Sequence, residues 1–205
     1  MFDGEYMKSF IVLCGGKSTR MGQDKGSFSI NGKPMIIHVL ETLALVADEI
    51  VIVLRDENQV DDYKQLFDSL TSNNKTKLKI CTDILKDQGP LAGILTGLKN
   101  IKSDKAMVIP CDSPFVTEFF VNKMFKFSEE ADFDAFVPKW SNGKLEPLHS
   151  IYKKDLQPVI QKLLYKHKRD VKSFIDKLKV EYIDAESLDG TGRSFININR
   201  ADDVS

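Results

Sequence analysis

Leu13-Cys14-Gly15-Gly16-Lys17-Ser18-Thr19-Arg20-Met21-Gly22-Gln23-Asp24-Lys25 is the stretch on which the fold turns. It follows the apolar run Phe10-Ile11-Val12 and is too long and too polar for a tight turn. Gly15, Gly16 and Gly22 permit backbone geometries that a Cβ would forbid, so successive amide N–H groups can converge on an anion. Arg20 and Lys25 add two cations to the same loop. A strand that ends in backbone donors and mobile cations suits a polyphosphate, and the segment reads as a nucleotide triphosphate loop.

Two other phosphate loops are excluded. Gly16-Lys17-Ser18 imitates the end of a Walker A loop, but the glycine required five residues earlier is Ile11. The dinucleotide fingerprint G-x-G-x-x-G is absent, and it would need a helix directly after the turn. Here the next helix start is Pro34, behind which Met35, Ile36, Val39, Leu40, Leu43 and Ala47 fall at helical spacing.

Outward from this loop, strand-like and helical runs alternate. Strands are expected at Phe10–Leu13, Ile50–Leu54, Leu78–Cys81, Ala106–Ile109, Ala135–Pro138, Val180–Ile183 and Phe195–Ile198. Helices are expected near Pro34–Ala47, Gln59–Leu70, Pro90–Asn100, Glu118–Phe127, Leu156–Tyr165 and Val171–Leu178. Such alternation predicts an α/β fold: a single three-layer, doubly wound domain with a mostly parallel central sheet and ligands at the carboxyl ends of the strands. Ser72–Lys75 reads as a loop and not as a domain linker, and residues 1–8 read as a tail before a domain spanning 9–205.

The 205 residues carry 29 Lys and Arg against 30 Asp and Glu, a formal net charge of −1. A balanced chain offers no global attraction to nucleic acid or to anionic membranes. No apolar run approaches membrane-spanning length, and the N-terminus lacks a secretory pattern, so a cytoplasmic protein is expected. Cys14, Cys81 and Cys111 are odd in number, lack zinc spacing and end apolar runs, which suits reduced, half-buried thiols. His38, His149 and His167 share no metal-ligand spacing, and neither His38, His167 nor Trp140 is given a role.

Two further constellations fall at strand ends. Pro110-Cys111-Asp112-Ser113-Pro114 presents one carboxylate from a turn stiffened by proline on both sides. Mg²⁺ takes one or two such carboxylates beside substrate phosphates and water, whereas the plain alternative is an aspartate that caps the following helix. Gln88-Gly89-Pro90-Leu91-Ala92-Gly93 turns into a helix whose free N–H groups favour an anion. Gly93 and Gly97 share a face of that helix: Gly93 reads as near the ligand, Gly97 equally well as packing.

These residues resemble a known family. Leu13-Cys14-Gly15-Gly16 and Arg20-Met21-Gly22-x-Asp24-Lys25 look like the L-A-G-G and R-M-G-x-D-K signature of molybdenum cofactor guanylyltransferases, with Cys14 in place of alanine. Pro110-Cys111-Asp112, Gly89-Pro90-Leu91-Ala92-Gly93, Glu146-Pro147-Leu148 and Phe195-Ile196-Asn197-Ile198-Asn199 resemble further stretches of that family, which covers nearly the whole chain. The resemblance implies a Rossmann-like nucleotidyltransferase that joins GMP from GTP to molybdopterin and releases pyrophosphate. It implies that Leu13, Cys14, Gly15, Gly16, Gly22, Lys25, Asp83 and Gly93 hold the nucleotide. Lys25, Arg20 and Asp112 would carry catalysis, with Asp112 on Mg²⁺. Arg169, from Lys168-Arg169-Asp170-Val171, would hold the second substrate with Asn197 and Asn199, which a strand would turn to one side.

It further implies GTP and molybdopterin as partners and is compatible with transient contact to cofactor-delivering or molybdoenzyme-maturation proteins. Guanine-using loops of the family carry glycine at the place of Gly15, where a missing Cβ leaves room for a purine. A cytidylyltransferase, a sugar-phosphate nucleotidyltransferase and a silent nucleotide-binding domain are the alternatives. The E-P-L and F-I-N-I-N stretches speak against the sugar enzymes, and Lys25 with Asp112 against a silent domain.

Overall fold

The structure is a computed structural model that describes residues 7–15, 24–71, 77–85 and 88–198. The calls on Gly16, Arg20, Gly22, Asn199, the loop at 72–75 and most of the N-terminal tail lie outside the described residues. The elements run in the order β1 (Ser9–Leu13), β2 (Ser29–Ile30), β3 (Lys33–Pro34), α1 (Met35–Ala44), β4 (Glu49–Leu54), α2 (Glu57–Thr71) and β5 (Lys77–Thr82). They continue with α3 (Pro90–Asn100), β6 (Lys105–Pro110), α4 (Glu118–Glu130), β7 (Ala135–Lys139), β8 (Ile151–Lys153), α5 (Gln157–Tyr165), α6 (Val171–Ile175), β9 (Val180–Asp184) and α7 (Ala185–Leu188).

Seven strands form one sheet in the order β5-β4-β1-β6-β8-β7-β9. The pairs β1·β4, β1·β6, β4·β5 and β7·β9 are parallel, and β8 runs antiparallel between β6 and β7. β1 and β4 carry uninterrupted apolar runs because helices cover both faces of the sheet. On one face Phe10, Val12, Ile50, Ile52 and Ile109 meet α1, α2, α4 and α7. On the other, Ile11, Val51, Val53 and Val108 meet α3, α5 and α6. The alternation of Phe10, Ile11 and Val12 between the two cores is the period-two rule of a strand.

After β1 the chain moves to β4 and β5 on one side, then crosses back through α3 to β6 on the other. The strand order therefore reverses between β1 and β6, and a crevice opens beyond their carboxyl ends. Both the glycine-rich loop and the Pro110–Pro114 turn leave from that edge.

The three-layer, mostly parallel sheet matches the sequence reading, with several local differences. Phe195–Ile198 is not a strand: Arg193–Phe195 is a 3₁₀ turn, and Ile198 N–H donates to the carbonyl of Asp112 at 2.9 Å. That bond docks the segment against the Asp112 turn and leaves no ladder, so strand alternation does not govern Asn197. The Glu146-Pro147-Leu148 stretch leads into β8 before any helix, since Ile151 and Tyr152 have partners on both β6 and β7. The short β2–β3 hairpin was absent from the expected elements, although Asn31 and Gly32, both at positive φ, are hairpin-turn residues. Pro34 stands just before α1 with ψ of 140°, an N-cap and not a first helical residue. The helix expected near Val171–Leu178 stops at Ile175, and the short α7 was absent from the expected elements.

Candidate active site

Beyond the ends of β1 and β6 lies a cavity of about 580 Å³ lined by Leu13, Cys14, Gly15, Lys25, Asp83, Gly89, Pro90, Gly93, Asp112, Leu148 and Asn197, among others. Its size falls within the roughly 300–1,000 Å³ of small-ligand pockets. A larger groove, about 1,050 Å³, lies at the opposite end of β6. There Lys153 pairs with Asp132, and Lys105 donates to the Ser128 carbonyl. The smaller cavity is lined by Gly15, Lys25 and an aspartate with an unsatisfied carboxylate oxygen, and it is the candidate site.

Lys25 and Asp112, 87 positions apart, form an ion pair with Nζ 3.0 Å from Oδ2. Asp112 is 9% exposed. Its other oxygen, Oδ1, is buried without a hydrogen-bond partner among the described residues. A buried carboxylate oxygen left unpaired costs free energy unless a cation or donor arrives with the ligand. The helix-capping alternative fails, because Thr117 caps α4 by accepting from Phe120 N–H. Among the described residues no group of three or more His, Cys, Asp and Glu could hold a metal. A lone carboxylate suits Mg²⁺ bound largely by phosphates and water.

Lys25 is fixed from below by its neighbour. Asp24 accepts from Gly26 N–H at 3.0 Å, from Gln59 Nε2 at 2.6 Å and from the Tyr63 hydroxyl. Gln59 also donates to the Cys14 carbonyl at 2.9 Å, tying both ends of the loop to α2. Gln59 and Tyr63 stand four apart on α2, which sets them side by side on one helix face. Burial holds the Tyr63 hydroxyl protonated far above its usual range. The Cys14 sulfur packs into this same core, hydrogen-bonded to the Cys111 thiol, whose ionisation is suppressed. All three cysteines are free; Cys14 and Cys111 are buried and Cys81 is half-buried.

Across the cavity, Asp83 follows β5 and accepts from Thr96 Oγ1 at 3.0 Å and from Leu85 N–H at 3.2 Å. Burial raises its pKa above the usual carboxylate value. Gly89, at φ 74°, caps α3 and turns its first residues toward the cavity. A Cβ there would meet the Arg169 carbonyl at 3.4 Å, so the backbone of Arg169 abuts the wall although its exposed side chain is not part of it. Gly93 lines the cavity and lets Leu13 approach: a Cβ would lie 3.0 Å from Leu13 Cδ2. Gly97 is a packing residue, since a Cβ would fall 2.3 Å from Ile11 Cγ2. At Gly15 a Cβ would be in ordinary contact, 3.7 Å from the Arg55 backbone. The loop backbone itself therefore does not require glycine at that position.

The structure thus brings Leu13, Cys14, Gly15, Lys25, Asp83, Gly93, Asp112 and Asn197 to one cavity, with Arg169 at its edge. The sequence reading passed over Asp24, Gln59, Tyr63, Ser113 and His149. Only Asp24 carried a signal, as a fixed place in the signature it shares with Lys25.

A strand-order crevice, a glycine-bearing loop with a lysine and an unsatisfied aspartate oxygen together define a nucleotide-binding α/β enzyme of the nucleotidyltransferase class. The chain belongs to the MobA-like NTP transferase domain family, whose profile matches residues 10–182. The probable molybdenum cofactor guanylyltransferase of Methanothermobacter thermautotrophicus is 38% identical over 200 residues, covering 97% of this chain and 98% of that protein. That of Methanocaldococcus jannaschii is 32% identical over 198 residues, 95% of each. The crystal structure of molybdopterin-guanine dinucleotide biosynthesis protein A from Archaeoglobus fulgidus superposes with a TM-score of 0.78 at 29% identity, covering 96% of this chain and 94% of that one.

Proposed function

We propose that this protein transfers GMP from GTP to molybdopterin, or its molybdenum-bearing form, and releases pyrophosphate. A phosphate oxygen of the pterin attacks the α-phosphorus of GTP, and the bond from that phosphorus to the β-phosphate oxygen breaks. No enzyme nucleophile is needed, because the attacking oxygen is already ionised near neutral pH. The chain's task is positioning and charge neutralisation.

The observation that carries this reading is the Lys25–Asp112 pair with its orphaned Oδ1, set beside Gly15 in the cavity beyond β1 and β6. Lys25 would move onto the triphosphate. Asp112 would hold Mg²⁺, which supplies Lewis-acid stabilisation of charge at the reacting phosphorus. Asp83 and the Gly15 backbone line the same cavity and suit the base and sugar. Arg169 and Asn197 suit the pterin side. A chain without a membrane-length apolar helix among its described residues also fits small-molecule biosynthesis, and a cytoplasmic setting is part of the proposal.

Pyrophosphate release from GTP, Mg²⁺ and molybdopterin tests this reading. Release by wild type and not by Asp112→Asn is expected. GTP binding without release would instead indicate a silent nucleotide-binding domain.

A further inference from the structure

Ser113 follows the proposed metal ligand and is fully buried, as is His149 at 1% exposure. Ser113 Oγ donates to Asn197 Oδ1 at 2.6 Å and lies 2.9 Å from His149 Nε2. A serine hydroxyl has one proton. If that proton goes to Asn197, Ser113 can only accept from His149, whose Nε2 must then carry hydrogen. Burial holds the imidazole neutral, with its pKa pushed down to about 3, so His149 has a single ring N–H to give. The ring is clamped edge-on against Phe195 and Phe120, at centroid distances of 5.4 and 6.3 Å. The backbone N–H of His149 donates to the Glu146 carbonyl at 3.0 Å and anchors the residue.

Asn197, at the other end of this chain, lines the cavity beside Asp112 and Leu148. The next residue, Ile198, is pinned to the Asp112 carbonyl, which fixes the backbone. What the backbone leaves undetermined is which end of the carboxamide faces the ligand.

We propose that His149 and Ser113 are positioning residues that act through Asn197. The one-way chain His149 Nε2–H to Ser113 Oγ–H to Asn197 Oδ1 turns the asparagine amino group toward the cavity, as a donor to a phosphate oxygen of the acceptor substrate. The identity of that acceptor rests on the guanylyl-transfer reading; the direction of the chain does not. Reversing it would need hydrogen on Nδ1 and would present a carbonyl, which repels a phosphate.

Two measurements test this. Nitrogen NMR of histidine-labelled wild type, with His149 assigned by loss of its signal in His149→Gln, reports the tautomer at neutral pH. Hydrogen on Nε2 is expected, and hydrogen on Nδ1 overturns the proposal. A double-mutant cycle with Ser113→Ala and Asn197→Ala then reads kcat/KM for molybdopterin beside the Kd for GTP. Ser113→Ala should lower kcat/KM roughly tenfold, the loss of one hydrogen bond to a charged group. It should leave GTP affinity within about threefold and cost nothing further in the Asn197→Ala background. Equal losses in both backgrounds, or a parallel fall in GTP affinity, would show plain structural support and overturn it. If wild type fails to turn over molybdopterin, the acceptor assignment fails, while the tautomer still decides the direction of the chain.

Discussion

Replacing Lys25 with alanine should affect metal and nucleotide in opposite directions. Lys25 Nζ sits 3.0 Å from Asp112 Oδ2, on the carboxylate that a cation would use. At an effective dielectric constant of about 20 the gross attraction at that distance is about 5 kcal/mol. The side chains of Lys25 and Asp112 are 28% and 12% exposed, so solvent and desolvation offset most of it. A net of about 1–2 kcal/mol remains, or about a 5- to 30-fold effect on an equilibrium constant. Without nucleotide, Lys25→Ala should therefore bind Mn²⁺, a spectroscopic substitute for Mg²⁺, about 5- to 30-fold more tightly than wild type. The same variant should bind GTP more weakly, having lost a cation from the triphosphate. Mn²⁺ titration followed by paramagnetic resonance, with Asp112→Asn as the non-binding control, reads the first effect, and GTP calorimetry the second. Unchanged or weaker Mn²⁺ binding in Lys25→Ala would refute the idea that Lys25 and the metal share Asp112.

Other outcomes follow from the same geometry. Asp83 has a folded pKa raised by burial, so the folded state takes up its proton first and stability rises as pH falls through that interval. Asp83→Asn should thus raise the thermal midpoint at neutral pH and flatten the acid-side profile, while weakening GTP binding. His149 shows the opposite sign: its pKa is depressed from 6.5 to about 3, so stability falls as pH drops below 6.5, by about 2 kcal/mol at pH 5. Thermal scans of His149→Gln should lack that component. Gly97→Ala should destabilise, since overpacking against Ile11 costs about 1–3 kcal/mol and exceeds the roughly 1 kcal/mol gained in helix propensity. Gly15→Ala meets only ordinary contacts and should stay within about 0.5 kcal/mol of wild type in denaturant melts. Its GTP and CTP efficiencies can therefore be compared directly, and a larger penalty on GTP is expected if the base packs on this loop.

The parallel core was legible because buried strands announce themselves as apolar runs, and the runs at Phe10, Ile50 and Ala106 each precede a helical pattern. β8 was not, since three residues have no period, and its place is set by pairing on both sides with β6 and β7. Phe195–Ile198 misled for the converse reason. Phe195 joins an aromatic cluster with Trp140, Phe120 and His149, and Ile198 packs with Ile30 and Met35 while its N–H bonds to Asp112, so no ladder forms. Lys25 and Asp112 could be picked out one by one from their loops, but their contact at 3.0 Å is a product of the strand order. Gln59 and Tyr63 support the site from α2 through Asp24 and the Cys14 carbonyl, and Ser113 and His149 support it through Asn197. No local pattern marks a residue whose role lies in the third dimension.

The most direct test of the account is a single-turnover reaction of excess protein with α-phosphate-labelled GTP, Mg²⁺ and molybdopterin, followed by separation of the pterin products. Transfer of the label into a pterin dinucleotide with release of an equal amount of unlabelled pyrophosphate is the predicted result. Label that stays in GTP would contradict nucleotidyl transfer to the pterin, and efficient transfer from labelled CTP in preference to GTP would contradict the guanylyl assignment.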